Sequence, residues 1–243
     1  MLLYSRYFNA KSDTRYLAEG SYTDVLERLK RDFEIRVHDR PLTAKTLKGV
    51  SLLLIVNPNQ EAVADGPPPH HCDAKDIATL TRFVRKGGGM MVLGNQDNHN
   101  LETEKLNKFL AGFGIQFVNE YTDAKRLILP PNALLLGGQR WAFYGGNSLT
   151  VQEDHSAVPR AIVTNDLAQQ PIAGTRDHAG VLMAGAQLGD GRIIVATDAG
   201  WLTNDALSGK GIGGVAITDH MNWEIMERLT GWLISGSSRV IDL

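Results

Sequence analysis

Apolar positions follow two alternating periods along the first half of the chain. Leu2 to Phe8 is a short apolar and aromatic run suited to a strand, whereas Tyr22, Val25, Leu26 and Leu29 recur at helical spacing. Phe33 to Val37 alternates like a strand, and Ser51 to Val56 is a continuous apolar run, the pattern of a strand buried on both faces. The turn signal Asn57-Pro58-Asn59 closes it. Asp73 predicts an N-cap, with Asp76 as the capping-box acid, for a helix with Ile77, Leu80 and Val84 on its inner face and a stop at Gly87 to Gly89. Met90 to Leu93 predicts another buried strand, and Leu106, Phe109, Leu110 and Phe113 a helix closed by Gly114. This alternation predicts an α/β fold with a doubly wound, mainly parallel open sheet of the flavodoxin-like type.

Residues 115–190 break the rhythm. Short β-like runs (Arg126 to Leu129, Leu134 to Leu136, Ala161 to Val163) are interspersed with glycine and proline, which predicts a β-rich elaboration of the same domain. Val181 to Leu188 and Arg192 to Thr197 predict a hairpin around Gly189-Asp190-Gly191. A last helix from about His220 to Ile234 turns Trp223, Met226, Leu229 and Leu233 inward. With no repeat and no long linker, residues 1–243 are expected to form a single domain.

Charge narrows the partners. A net charge of −2 gives no reason to expect nucleic acid or an anionic membrane. Cys72 is the only cysteine, which excludes an internal disulfide and fits a reducing compartment such as the cytoplasm. The N-terminus carries no signal peptide, so a periplasmic location would require a leader already removed.

Ligands of open α/β sheets bind beyond the carboxyl ends of the strands. The residues expected there are Asn9 and Asp13, then Asn57 and Asn59, then Asn95, Asp97, His99 and Asn100, and finally Asp198, Trp201, Asn204 and Asp205. Amides and carboxylates pair with hydroxyls and an indole stacks on a sugar ring, so the set suits an oligosaccharide or another small hydroxyl-rich ligand. The same residue types also make turns and caps, and both roles stand at this point. Asp97, His99 and Asp205 are the candidate acid–base residues, able to flank a sugar or relay a proton. Neither a metal nor a cofactor is expected. His70-His71-Cys72-Asp73 lacks a second ligand pair at zinc spacing, and Gly87 to Gly89 precedes a strand, where a phosphate loop would follow one. There is no G-x-S-x-G elbow.

The segments RYFNAKS, LLLIVNPNQ, FVRKGGGMMVLGNQDNHNLETEKLNKFLAGFGIQF and GDGRIIVATDAGWLTNDAL, in that order, resemble the glutamine-amidotransferase-like superfamily in its GIFT/ThuA-type branch. The form they resemble is the domain attached to unsaturated glucuronyl and rhamnogalacturonyl hydrolases. The pattern is met by Gly87 to Gly89, Asp97, Asn100, Glu102, Asn107 and Phe113-Gly114-Ile115, and it departs near Trp201, where one extra residue intervenes and Asp205 replaces a glutamate. The resemblance implies a class I amidotransferase-like sheet and a role in bacterial polysaccharide degradation. The turn Gly94-Asn95-Gln96 holds no cysteine, so thioester chemistry is not expected there. The expected function is binding of uronic-acid-containing or similar oligosaccharides. The alternatives are a sugar-processing hydrolase or lyase at the same rim, or a non-catalytic interaction module presenting Trp141, Phe143 and Tyr144.

Overall fold

The computed structural model describes residues 1–131 and 137–235, apart from the side chain of Asp97; the run Leu134 to Leu136 lies outside the described residues. In chain order the strands are β1 (Leu2–Ser5), β2 (Ile35–His38), β3 (Leu52–Val56), β4 (Gly89–Leu93), β5 (Ile115–Thr122) and β6 (Lys125–Ile128). They continue as β7 (Arg140–Phe143), β8 (Gly146–Val151), β9 (Arg160–Asn165), β10 (Gly180–Leu188) and β11 (Gly191–Ala196). The helices are α1 (Thr23–Leu29), α2 (Ala74–Arg85), α3 (Glu104–Leu110), α4 (Asn204–Leu207) and α5 (Asn222–Ile234).

Nine strands form one sheet in the order β2-β1-β3-β4-β11-β10-β8-β5, with β9 also paired to β10. The five strands from β2 to β11 are parallel, and every pairing beyond β11 is antiparallel. β6 and β7 make a separate antiparallel ribbon.

The expected doubly wound, mainly parallel sheet is therefore corrected to a mixed and more β-rich one. Residues 115–190, expected as a β-rich elaboration of the domain, supply β5, β8, β9 and β10 to the sheet itself, whereas β6 and β7 stand apart from it. Parallel neighbours need a crossover, usually helical, whereas antiparallel neighbours need only a short turn. The turn at Gly189-Asp190, with Gly189 at φ 63°, joins β10 directly to β11, and no helix is needed there.

Helices cover both faces of the sheet. α1, α5 and the β6–β7 ribbon bury Val25, Leu229, Trp232, Leu127 and Trp141 against one face. α2 and α3 bury Leu80, Val84, Leu106 and Phe109 against the other. α2 starts where its sequence says: the Asp73 side chain accepts from the amides of Lys75 and Asp76, and the Asp76 side chain reaches back to the Asp73 amide. Among the described residues no helix is long and apolar enough to cross a membrane.

Candidate functional site

β1, β3, β4 and β11 are parallel, so their carboxyl ends open on one rim, and the loops after β1, β3 and β4 lock together there. The Asn9 amide donates to the carbonyls of Val56 (3.1 Å) and Asn57 (2.8 Å). Asn59 accepts from the Ala10 amide at 2.7 Å and donates to the Asp13 carboxylate at 2.9 Å. Asn57 and Arg15 both donate to the His99 carbonyl, at 3.0 and 2.7 Å. Asn95 donates to the Tyr16 hydroxyl (2.7 Å), and its oxygen accepts from the Gln96 amide (2.8 Å) and lies 2.9 Å from His99 Nδ1. Asn100 pairs twice with the Glu61 backbone. Asn57 and Asn100 take φ of 42° and 63°, in the left-handed region that Asn tolerates better than most residues. These amides are brought together as expected, and most of their bonding capacity is spent on neighbouring loops.

Charge in this network is compensated. Burial pushes the Asp13 carboxyl up, but the Arg15 guanidinium and amide and the Asn59 amide together hold it below the usual carboxylate range. Burial, then the positive charges of Arg15 and Arg176, hold His99 below the ordinary imidazole value. Asp97 opens the 3-10 turn Asp97–His99, and its side chain lies outside the described residues.

The loop after β11 turns inward. Asp198 is fully buried and accepts from the amides of Tyr144 (2.7 Å) and Gly200 (2.5 Å); burial raises its carboxyl to about 7 even against those amides. Trp201 is 0% exposed and meets Trp141 edge-on at 5.8 Å between ring centroids. The expectation that Trp201 stacks on a sugar is corrected: its apolar surface fills the core, where it is worth more than at the rim. Asn204 ties α4 to the start of α1 through the Gly20 carbonyl, the Thr23 hydroxyl and the Asp24 amide. Asp205 stands exposed on α4, with no described contact to His99. Trp141 and Phe143 are buried, and of the three aromatic residues named for an interaction module only the half-buried Tyr144 reaches the surface.

Sequence reasoning missed a cleft. A hollow of about 840 Å³ lies at the carboxyl ends of β1 and β2, lined by Arg6, Tyr7, Asn9, Lys11, Asp39 and His70, with Pro67 to Pro69 along one side. His70 stacks on Tyr7, with centroids 4.4 Å apart and planes at 27°. Its Nε2 sits 2.6 Å from the Asp76 carboxylate. Asp76 is in turn anchored by the Asp73 amide at 3.1 Å. That leaves Nδ1 of His70 without a partner among the described residues. Burial, followed by the nearby charges of Asp76 and Asp73, raises the Tyr7 hydroxyl. The residues that carry this arrangement come from separate loops, and only the aromatic RYF and the paired histidines hint at it in the sequence.

His70, Asp73 and Asp76 each offer one ligand atom within 4.8 Å of the others. The histidine thus groups with the capping-box acids and not with His71 and Cys72, and both carboxylates are already engaged at the helix start. Cys72 is buried, and burial pushes its thiol up to about 12, far from nucleophilic use.

No curated protein matches the sequence. Among solved structures, the mmIFT52 N-terminal domain superposes with a TM-score of 0.73 over 99% of this chain and 100% of its own, at 14% identity. The cytoplasmic protein STM3548 from Salmonella typhimurium does so with a TM-score of 0.52 over 88% and 87%, at 12% identity. At such identities the likeness shows the fold alone. Residues 23–211, well over half of the chain, match the family described as domain of unknown function (DUF4350), and the chain belongs to that family.

Proposed function

We propose that the chain is a carbohydrate-associated domain that binds uronic-acid-containing or similarly hydroxyl-rich oligosaccharides in the cleft at the ends of β1 and β2. The observation that supports this is the cleft's composition: two cations (Arg6 and Lys11), two carboxylates (Glu19 and Asp39) and the Asn9 amide around the stacked rings of Tyr7 and His70. Cations take a sugar carboxylate, polar groups take hydroxyls, and a ring face takes the apolar face of a pyranose. The volume falls within the range of small-molecule sites. The resemblance to glutamine-amidotransferase-like domains of the GIFT/ThuA type fits this use, as does a place in bacterial polysaccharide degradation, in the cytoplasm or the periplasm. Calorimetric titration of pectin- and glycosaminoglycan-derived oligosaccharides tests it. Tyr7→Ala is expected to weaken binding about tenfold, which corresponds to about 1.4 kcal/mol. Silence from every oligosaccharide, or binding indifferent to Tyr7→Ala, removes the reading.

A sugar-processing hydrolase or lyase is the second reading, favoured by the His70–Asp76 contact. A carboxylate on Nε2 fixes the tautomer and leaves the Nδ1 lone pair free to accept a proton. Turnover of these oligosaccharides that vanishes in His70→Gln with an unchanged melting temperature supports it. Turnover that survives His70→Gln moves the chemistry elsewhere, with the Asp97→Asn and His99→Ala pair as the next variants.

A further inference from the structure

The opposite end of the sheet carries a second hollow. A cleft of about 550 Å³ opens beside the amino ends of β3 and β4, between the segment from Ala44 to Ser51 and the last turns of α2. Lys48, Arg82 and Lys86 line it from two separate elements, and all three are exposed. None of them forms an ion pair among the described residues, although Arg15, Arg28, Lys30, Lys105, Lys108, Lys125, Arg126, Arg140, Arg176 and Arg228 all do. From Pro41 to Gln60 the sequence has no acidic residue, and in α2 the only one, Asp76, lies in the first turn, away from the cleft. Asp190, in the turn after β10, approaches Gly87 and makes no ion pair among the described residues.

Part of the cationic charge has an ordinary use, because Arg82 in the last turn of α2 complements the helix dipole. That does not explain Lys48, which comes from a different segment and faces the same hollow. The cleft also has an apolar side. Leu47, Val50 and the half-buried ring of Phe83 line it, and the ring covers Gly88 so closely that a Cβ there would lie 2.4 Å from the ring's far carbon. The glycine backbone offers nothing to an anion: the amides of Gly87, Gly88 and Gly89 are spent on the carbonyls of Val84, Phe83 and Ser51. Recognition of an anion here would therefore fall to side chains.

We infer that this cleft is a second binding site, for a phosphorylated ligand with a flat ring, the chemistry of a nucleotide. The phosphates lie among Lys48, Arg82 and Lys86, and the ring lies on Phe83. Three cations converging on one hollow raise the local anion concentration even though the chain as a whole is slightly acidic. Aromatic stacking supplies the preference for a base over a bare phosphate chain.

Calorimetric titration with ATP, tripolyphosphate and adenosine tests the assignment at low and at physiological salt. ATP is expected to bind more tightly than either of the others and to weaken as salt rises. The Lys48→Glu, Arg82→Glu, Lys86→Glu triple variant is expected to weaken ATP at least tenfold, and Phe83→Ala to weaken ATP while leaving tripolyphosphate unchanged. Melting curves confirm that each variant folds, as substitutions at exposed cations allow. Absence of ATP binding, ATP binding no tighter than tripolyphosphate, or binding indifferent to the charge reversal overturns the inference. Oligosaccharide binding at the far rim is independent of all these outcomes.

Discussion

Asp198 shows what one buried carboxyl does to the whole chain. Its folded value is raised from 3.8 to about 7, so the native state holds a proton that the unfolded chain releases at lower pH. Stability from this group is fully present below about pH 3.8 and is lost as the pH rises to about 7. Asp198→Asn is expected to abolish that slope, which urea unfolding between pH 4 and 8 would show; an unchanged slope would mean that another group carries it. Asn59 makes a second test at this scale. Asn59→Ala strands the Ala10 amide and one bond of Asp13, and is expected to cost about 1–3 kcal/mol in denaturant unfolding, because a buried donor without a partner carries its full desolvation cost. Trp201→Ala is expected to cost about 3–5 kcal/mol in the same measurement, as truncation of a fully buried indole does, without singling out oligosaccharide binding.

At the scale of elements, β11 begins tightly under the end of α2. A Cβ on Gly191 would sit 1.9 Å from the Val84 carbonyl oxygen and 2.5 Å from that of Gly88. Gly191→Ala therefore forces helix and strand apart, and is expected to destabilise by about 1–3 kcal/mol or more, read as a fall in the denaturant midpoint. Elements with local signals were legible. The capping box of α2, the apolar runs of β3 and β4 and the tight turn between β10 and β11 depend on residues close in sequence. β5 and β8 were not, and β9 showed only the short run Ala161 to Val163, because such runs become full strands only by pairing with partners far along the chain.

For the molecule as a whole, the sheet order sets which strands open first. β3, β4 and β11 are paired on both sides and covered on both faces, whereas β2 is an edge strand with Val37 49% exposed. Hydrogen exchange is expected to be slowest in those three strands and fastest in β2, and uniform protection across the sheet would contradict this. One cleft lies at the carboxyl ends of β1 and β2 and the other at the amino ends of β3 and β4, which lets one be altered by substitution while the other reports on the fold.

Local chemistry in the chain determined where helices start, where turns fall and which runs are apolar enough to be buried, since each depends on neighbours a few residues apart. It also placed Asn9, Asn57, Asn59, Asn95 and Asn100 at one rim, because residues that follow parallel strands must come out at the same end. Tertiary structure alone decided that the sheet is half antiparallel, that Trp201 faces the core, that His70 meets Asp76 beside Tyr7, and that Lys48 joins Arg82 and Lys86. Each of these is a contact between distant segments, and its free energy depends on what lies across the gap, which no local pattern of residues records.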